Sequence, residues 1–283
     1  MKNFVIIGPS GYIAKRHLKA IKNLGGTITG YHDLHESTFE GQNSETKFLD
    51  SLDAIKDFIS NHSVDFLIVC SPNFLHFQHI KIGLESGVNV ICEKPIVLNM
   101  DNFHELSILE DKYNKKVYTI YQLRLHEINK QMKNFVRSGS KSRLLYVAHR
   151  DESYLNSWKV DPDKSGGILF NLGIHYFDFL ISHYGEIESF HVEDLTHLRA
   201  EGTLQFNMLS VSWLFSIDPQ DVQKFSQPVS RIFSINDREL DFSQGFDDLH
   251  KLSYKKILEG EGFGLEIAYP SIDLLTNINQ QFK

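Results

Sequence analysis

The first 120 residues of this chain alternate short apolar runs with longer segments of helical periodicity. The strand-like runs lie at 3–7, 27–31, 65–69, 88–92 and 117–121, and helical patterns lie between them at 12–24, 51–61, 74–86 and 100–113. Strands separated by helices of this length are joined by right-handed crossovers, which place them side by side in parallel. The pattern therefore predicts a doubly wound parallel α/β sheet with helices on both faces.

Beyond residue 121 the pattern changes to strands that follow one another closely. Residues 203–208 and 211–217 alternate apolar and polar side chains, 144–149 is strand-like, and 167–184 reads as one amphipathic helix. Two further runs, 231–235 and 239–242, flank Asn236-Asp237-Arg238, a good hairpin turn. With a closing helix at about 266–280, this half predicts an α+β domain with an open, mostly antiparallel sheet. The predicted domains are 1–121 and 122–283.

Composition and charge exclude several classes of partner. The chain carries 29 basic and 36 acidic side chains, a net charge of −7, with no block of five like charges, and such a surface repels nucleic acid. No apolar run approaches the roughly 20 residues that span a bilayer, and Met1-Lys2-Asn3 leads straight into a strand. We expect a cytoplasmic protein that binds neither nucleic acid nor membrane. Cys70 and Cys92 lie in apolar runs and are expected to be buried hydrophobes.

A glycine-containing turn follows the first strand and precedes the first helix. Glycines at this place let a dinucleotide pyrophosphate approach the helix N-terminus, although the GxxGxxA spacing alone is a weak motif. Asp33 ends the second strand, where a carboxylate binds the ribose 2′-hydroxyl and repels a 2′-phosphate, so NAD is favoured over NADP. The alternative is a glycine turn beside a capping aspartate. The cofactor contacts predicted in this stretch are Gly8, Ser10, Gly11, Tyr12, Ile13 and Asp33.

Two further strands of this half also end in polar residues. Ser71-Pro72-Asn73 follows one strand and Glu93-Lys94-Pro95 follows the next, at the sheet edge where ligands of doubly wound folds bind. We therefore predict that Ser71, Pro72, Asn73, His76, Glu93 and Lys94 line the cofactor cleft. The helical pair His76 and His79 has metal-ligand spacing but no cysteine or acidic partner nearby, so no metal is expected.

These segments resemble the Gfo/Idh/MocA oxidoreductases. The likeness rests on Cys70-Ser71-Pro72-Asn73 with His76, on Cys92-Glu93-Lys94-Pro95, and on Ser165-Gly166-Gly167 followed by Asn171, Gly173 and His175. Within that family, GYIAKRH, ICEKP, QLRLH, SWKVDPDKSGG, NLGIHYFD and FSQGFDDLH resemble the UDP-N-acetylglucosaminuronate 3-dehydrogenases of the WlbA/WbpB type. The resemblance implies tightly held NAD, oxidation of carbon 3 of a UDP-sugar for bacterial surface polysaccharide, and in some members 2-oxoglutarate as a second substrate.

The resemblance also implies roles for individual residues. Lys94 would accept the proton of the reacting hydroxyl, behind a cis Lys94–Pro95 peptide, and Glu93 would cap the turn or meet the cofactor ribose. His175 would be the second catalytic residue. Many relatives carry Asp at the position of Asn171, and an amide there orients an imidazole but does not stabilise its cation by charge. The residues expected to bind the anionic substrate are Arg124, Arg150, Tyr154, Lys159, Lys164 and Asn171.

Two alternatives remain open on the sequence. The first is an NAD-dependent dehydrogenase of another sugar or a cyclitol from the same family, and the second is an NAD-binding sensor without catalysis. A sensor needs cofactor contacts but no proton acceptor, so Lys94 and His175 together favour an enzyme. Apolar residues on both faces of the second predicted sheet indicate that both faces are covered. Together with the family resemblance, this pattern implies a homodimer or homotetramer.

Overall fold

The computed structural model describes residues 1–132, 140–225, 229–236 and 238–281. The strands are β1 Asn3–Ile7, β2 Thr27–His32, β3 Lys47–Phe48, β4 Phe66–Val69, β5 Asn89–Cys92, β6 Val117–Thr119, β7 Ser140–Ala148, β8 Ile187–Leu195, β9 Arg199–Phe206, β10 Leu209–Ser216, β11 Val229–Ile235 and β12 Arg238–Asp241. The helices are α1 Ala14–Asn23, α2 Leu52–Asn61, α3 His76–Glu85, α4 Met100–Tyr113, α5 Asn129–Met132, α6 Glu152–Leu155, α7 Pro162–Ser165, α8 Ile174–Tyr184, α9 Pro219–Lys224, α10 Leu249–Leu258 and α11 Leu265–Gln280.

The chain divides into two compact units. The first unit comprises Met1–Tyr121 and Asp247–Tyr269, and the second comprises Gln122–Phe246 and Pro270–Lys283. The division after residue 121 coincides with the predicted boundary, but the segment Asp247–Tyr269 was expected in the second domain. It joins the first unit because Tyr254 and Ile257 of α10 are buried in the same apolar cluster as Phe4 of β1.

The first unit is built on the predicted doubly wound sheet. Its order is β3-β2-β1-β4-β5-β6, and every neighbouring pair is parallel. The strand order runs outward in both directions from the β1/β4 pair, so the carboxyl ends of these two strands form the switch point at which such sheets bind ligands. The short strand β3 was not predicted, because two residues carry no readable periodicity.

Local signals explain why the helices of this unit begin where they do. The side chain of Ser51 accepts a hydrogen bond from Ala54 N at the start of α2, and the side chain of Asn99 accepts one from Asn102 N at the start of α4. Asn114 ends α4 in the left-handed conformation, with φ of 51°. The predicted bounds of α4, 100–113, are confirmed.

The second unit contains the predicted open, mostly antiparallel sheet. Its order is β12-β11-β7-β10-β9-β8, and only the β7/β10 pair of this described sheet is parallel. Helix α8 lies against the sheet through its aromatic residues, with the Phe177 ring centroid 5.4 Å from that of Trp213 and 5.3 Å from that of Phe215. The β11/β12 pairing fits the predicted hairpin, whereas Asp237 of its turn lies outside the described residues.

Two elements of the second unit differ from the sequence-based expectation. The strand β8 was not predicted, because its charged and half-buried residues give no clear alternation. The single helix expected over 167–184 is instead a π-helical turn at Leu169–Gly173 followed by α8. Asn171 therefore lies in the π turn and His175 in α8, whereas one regular helix was expected to carry both residues. Among the described residues, no helix is both long enough and apolar enough to cross a membrane.

Candidate active site

The glycine turn after β1 packs directly on the end of β4. Gly8 has φ of +79°, and its amide donates to His32 O over 2.8 Å. A Cβ atom at this position would lie 3.0 Å from Cys70 O and 3.1 Å from Cys70 C, both of them backbone atoms. Only glycine combines this backbone conformation with so close an approach to Cys70, so the turn lies against the switch point of the sheet.

The residues around this turn fit a dinucleotide. Ser10 N donates to Asp33 Oδ2 over 3.0 Å, which brings the predicted ribose-binding carboxylate to the turn. Helix α1 is preceded by Ile13, which has no polar side chain to cap the first amides, and its first turn contains no acidic residue. An uncapped helix N-terminus of this kind attracts a phosphate group. Tyr12, 78% exposed, lies beside it with its ring open to solvent.

A buried histidine connects the turns that follow β4 and β5. His76 Nδ1 lies 2.7 Å from Pro95 O, and its Nε2 lies 2.8 Å from Ser71 O. Next to it, Ser71 Oγ lies 2.8 Å from His79 Nδ1. Because a neutral imidazole carries one N–H, the ring donates to one of these two carbonyls and only contacts the other. Both predicted cofactor turns therefore pack on the same imidazole.

Glu93 occupies a buried position directly before Lys94. Its Oε1 accepts from His17 Nε2 over 2.9 Å and from His250 Nε2 over 3.1 Å, and its Oε2 lies 3.3 Å from Lys94 N. Lys94 itself is half-buried, and the Lys94–Pro95 peptide is cis, as predicted. The predicted contact between Glu93 and the cofactor ribose stays a prediction.

The charge state of this cluster follows from burial and hydrogen bonding. Burial opposes ionisation of Glu93, but the hydrogen bonds from His17 and His250 outweigh it and hold the pKa of this carboxyl well below its usual value. Burial lowers the pKa of the His17 imidazole, against the opposing effect of Glu93. Glu93 is therefore an ionised carboxylate, and the His17 ring that donates to it is neutral. Nδ1 of His17 lies 2.8 Å from Tyr254 Oη.

The histidines of the first unit predict a loss of stability in acid. Burial lowers the pKa of His17, His76 and His79, in the last case to about 4. Below pH 6.5 these imidazoles are protonated in the unfolded chain but stay neutral in the folded protein. The stability that they contribute is therefore complete above that pH, and the free energy of unfolding falls as the pH decreases. Between the unfolded value and about pH 4, His79 alone accounts for up to about 3 kcal/mol.

Urea unfolding from about pH 7 to about pH 4.5 measures this effect. The variant His79→Gln should lose less stability over that range than the unaltered protein, whereas His35→Gln, at an exposed position, should leave the slope unchanged. Equal slopes for all three proteins would contradict the assignment.

The second unit brings four of the predicted substrate residues together. The Arg150 guanidinium lies 4.8 Å and the Lys159 ammonium 5.1 Å from the centroid of the Tyr154 ring. Asn171 Nδ2 donates to Tyr154 Oη over 2.8 Å and lies 3.4 Å from Lys159 O. Burial and the neighbouring Arg150 charge lower the pKa of the Lys159 ammonium. We call Arg150, Tyr154, Lys159 and Asn171 the cationic cluster.

The other predicted residues of this unit have different surroundings. Arg124 Nε and Nη2 bind Asp178 in a bidentate pair with N–O distances of 2.8–3.1 Å. Burial of Asp178 raises the pKa of its carboxyl to about 6, against the lowering by Arg124. Lys164 lies 3.1 Å from Asp161 on α7 and is half exposed, and His175 lies half-buried in the first turn of α8. The substrate roles of Arg124 and Lys164 stay predictions.

Sequence reasoning missed the partners of Glu93. His17 lies at helical spacing with Ile13 and Ala20 in the sequence, but nothing in that spacing pairs it with a residue 76 positions away. His250 and Tyr254 belong to α10, a helix that was not predicted. A histidine on an otherwise apolar helix face was the available signal, because a buried imidazole requires a polar partner.

Two family models match the chain. The model described as the oxidoreductase family with an NAD-binding Rossmann fold, Gfo/Idh/MocA, matches residues 2–121, and the model of the Gfo/Idh/MocA C-terminal domain matches residues 130–222. Together they cover well over half of the chain.

Among solved structures, the WlbA (WbpB) dehydrogenase of Thermus thermophilus is similar along nearly the whole chain. Its complex with NAD and alpha-ketoglutarate is 34% identical, with a TM-score of 0.88, and covers 98% of this chain and 94% of that one. Its complex with NAD and UDP-GlcNAcA is 33% identical, with the same TM-score and coverage.

Curated relatives are more distant. Glucose-6-phosphate 3-dehydrogenase of Bacillus subtilis is 26% identical over 64% of this chain and 53% of that protein. The 1,5-anhydro-D-fructose reductase of Ensifer adhaerens is 20% identical over 64% of this chain and 56% of that protein. The chain thus matches about half the length of these relatives. Taken together, the family models and the switch-point geometry show that this chain belongs to the Gfo/Idh/MocA oxidoreductase family and that its cofactor is NAD.

Proposed function

We propose that this protein oxidises the 3-hydroxyl of UDP-N-acetyl-D-glucosaminuronic acid to the 3-keto sugar with NAD, in the synthesis of diaminated uronic acids for bacterial surface polysaccharide. The observation that carries the proposal is the cationic cluster, in which Arg150 and Lys159 both lie within 5.1 Å of the Tyr154 ring centroid. Support comes from the Thermus enzyme, which is 33% identical and binds NAD and UDP-GlcNAcA.

The cationic cluster has the chemistry needed to hold an anion. Arg150 and Lys159 place two positive charges around Tyr154. Burial and Arg150 lower the pKa of Lys159, and a bound anion would counteract that lowering by stabilising the charged ammonium. A guanidinium and an ammonium each form charge-assisted hydrogen bonds with a carboxylate, so these two side chains suit the uronate group of the substrate. We assign the sugar carboxylate to this cluster.

Lys94 and His175 carry the proton chemistry in this proposal. When bound, NAD accepts the hydride of the carbinol carbon. Lys94 takes the proton of the 3-hydroxyl as that hydride leaves, because it is half-buried at the carboxyl end of β5, on the edge that carries the glycine turn. His175, the second residue of the family pattern, assists by orienting the hydroxyl or sharing its proton. Asn171 and Tyr154 hydrogen-bond the sugar.

The activity is tested directly by the absorbance of NADH. The purified protein is mixed with UDP-N-acetylglucosaminuronate and, in parallel, with UDP-N-acetylglucosamine, glucose 6-phosphate and myo-inositol. We expect reduction of NAD with the uronate and its reversal when 2-oxoglutarate is added. Reduction with glucose 6-phosphate or inositol alone would support a dehydrogenase of another sugar or cyclitol. No reduction with any of them, in a protein that binds NAD, would support a sensor.

Replacing Lys159 by alanine tests the placement of the carboxylate. A charge-assisted hydrogen bond is lost, so KM for the uronate should rise about 10- to 100-fold. KM for UDP-N-acetylglucosamine, which lacks the carboxylate, should change little if it is turned over at all. Lys164→Ala removes a lysine of the same segment that is paired with Asp161 and serves as the control. Equal effects of the two substitutions on KM would contradict the placement.

We also propose that the protein is a homodimer or homotetramer, and sedimentation measures this oligomeric state.

A further inference from the structure

Lys94 lies between two neighbours that are fixed by buried imidazoles. On one side, the Glu93 carboxylate binds His17 of α1 and His250 of α10. On the other side, Pro95 O lies 2.7 Å from Nδ1 of His76 in α3. Three helices distant in sequence therefore hold the two residues that flank Lys94, and each of these imidazoles is 3% exposed or less.

The hydrogen-bond directions around Glu93 follow from its charge. A carboxylate only accepts, so Nε2 of His17 and Nε2 of His250 must each carry a hydrogen. His17 is neutral, so its Nδ1 carries no hydrogen and accepts from the Tyr254 hydroxyl. Tyr254 thereby fixes the His17 tautomer that donates to Glu93. The other oxygen of the carboxylate, Oε2, faces the amide of Lys94.

We propose that His17 and His250 are positioning residues which, acting through Glu93, set the location of the Lys94 amine. The inference rests on the proposed function, in which Lys94 is the base. Two donors on one oxygen fix the Glu93 side chain, and its second oxygen then fixes the peptide that leads into Lys94. A displacement of about 1 Å at such a group costs on the order of 100-fold in rate. Neither histidine contacts the reacting atoms in this proposal.

The same atoms would also suit a metal ion. His17, Glu93 and His250 offer ligand atoms that lie within 4.8 Å of one another. Hydrogen bonding accounts better for the geometry, because the two nitrogen–oxygen distances of 2.9 Å and 3.1 Å are normal for N–H donors on one oxygen. Metal binding is therefore treated as an outcome of the test.

Paired substitutions of His250 separate positioning from packing. His250→Gln keeps an N–H donor near Glu93, whereas His250→Phe keeps the volume of the ring and removes the donor. We expect kcat of the phenylalanine variant to fall on the order of 100-fold, with KM for both substrates changed less than about threefold. The glutamine variant should recover activity to within about tenfold of the unaltered enzyme.

A second substitution covers the case in which His250→Phe does not fold. Tyr254→Phe removes only the hydroxyl that fixes the His17 tautomer and should lower kcat about five- to tenfold. Thermal unfolding of every variant shows whether the fold is kept. Unchanged kcat in folded His250→Phe and Tyr254→Phe would overturn the inference, as would one tightly bound metal ion per chain in the purified protein.

Acetylation of lysines gives a readout that does not need turnover. Peptide mass spectrometry measures the rate at which acetic anhydride modifies Lys94 relative to Lys159. This ratio depends on the position, the exposure and the pKa of the Lys94 amine. This ratio should change at least about threefold in His250→Phe and return toward the original value in His250→Gln, because the pKa and exposure of an amine depend on its surroundings. If the unaltered protein oxidises no sugar, the proposed function fails, and an unchanged acetylation ratio would then separately overturn the positioning role.

Discussion

Replacing Lys94 by alanine should lower kcat about 10³-fold while NAD remains bound. General-base catalysis contributes about 10² to 10⁴ in rate, and Lys94 is the half-buried amine at the carboxyl end of β5. The glycine turn and Asp33, which we assign to the cofactor, are untouched by the substitution. Turnover is measured by NADH absorbance, and cofactor binding by calorimetric titration with NAD.

Two further variants show whether the loss belongs to the base. Lys94→Arg keeps a positive charge but accepts no proton at neutral pH, so it should be nearly as inactive as the alanine variant. Lys22→Ala removes an exposed lysine, 3.8 Å from Glu40, and should leave kcat unchanged. Activity of Lys94→Arg close to that of the unaltered enzyme would show that charge, and not proton acceptance, is the contribution of Lys94.

Replacing Gly8 by alanine should weaken NAD binding on the order of 100-fold and also lower stability. An alanine at φ of +79° costs about 1–2 kcal/mol. In addition, its Cβ would lie 3.0 Å from Cys70 O, and the backbone at the end of β4 cannot move without disturbing the sheet. The turn must therefore shift away from the place where we propose that the pyrophosphate binds.

Gly25 provides a matched control for this substitution. It has a similar φ of +72°, but a Cβ there would meet no atom within 4 Å. Gly25→Ala should therefore show the conformational cost alone, about 1–2 kcal/mol of unfolding free energy, with NAD affinity unchanged. Calorimetric titration and urea unfolding of both variants test the difference. Equal NAD affinities in the two variants would contradict the close packing of the glycine turn.

Elements with strong local signals could be predicted from the sequence. The strands β1, β4 and β5 are continuous apolar runs, as buried parallel strands must be, and α4 has a capping asparagine at its start. The glycine turn could be predicted because a backbone with positive φ favours glycine, which the sequence shows directly. These elements carry the fold and the predicted cofactor edge.

Features that depend on contacts between distant residues could not be predicted. The ion pair of Arg124 joins residues 54 positions apart, and the bond from His250 to Glu93 spans 157 positions. The π turn that carries Asn171 leaves no distinct periodicity, because one turn is too short to show it. The partners of a buried charged group depend on how distant segments pack together, and local sequence patterns do not contain that information.

The return of Asp247–Tyr269 to the first unit has a consequence for synthesis on the ribosome. A nascent chain of 121 residues already carries all six strands of the parallel sheet, but Tyr254 and Ile257, which complete its apolar cluster, are translated much later. Glu93 would meanwhile be a buried acid lacking one of its two imidazoles. The nucleotide-binding unit therefore completes its folding only after most of the polypeptide has left the ribosome. We expect a fragment that ends at residue 121 to expose the uncovered apolar cluster and to aggregate.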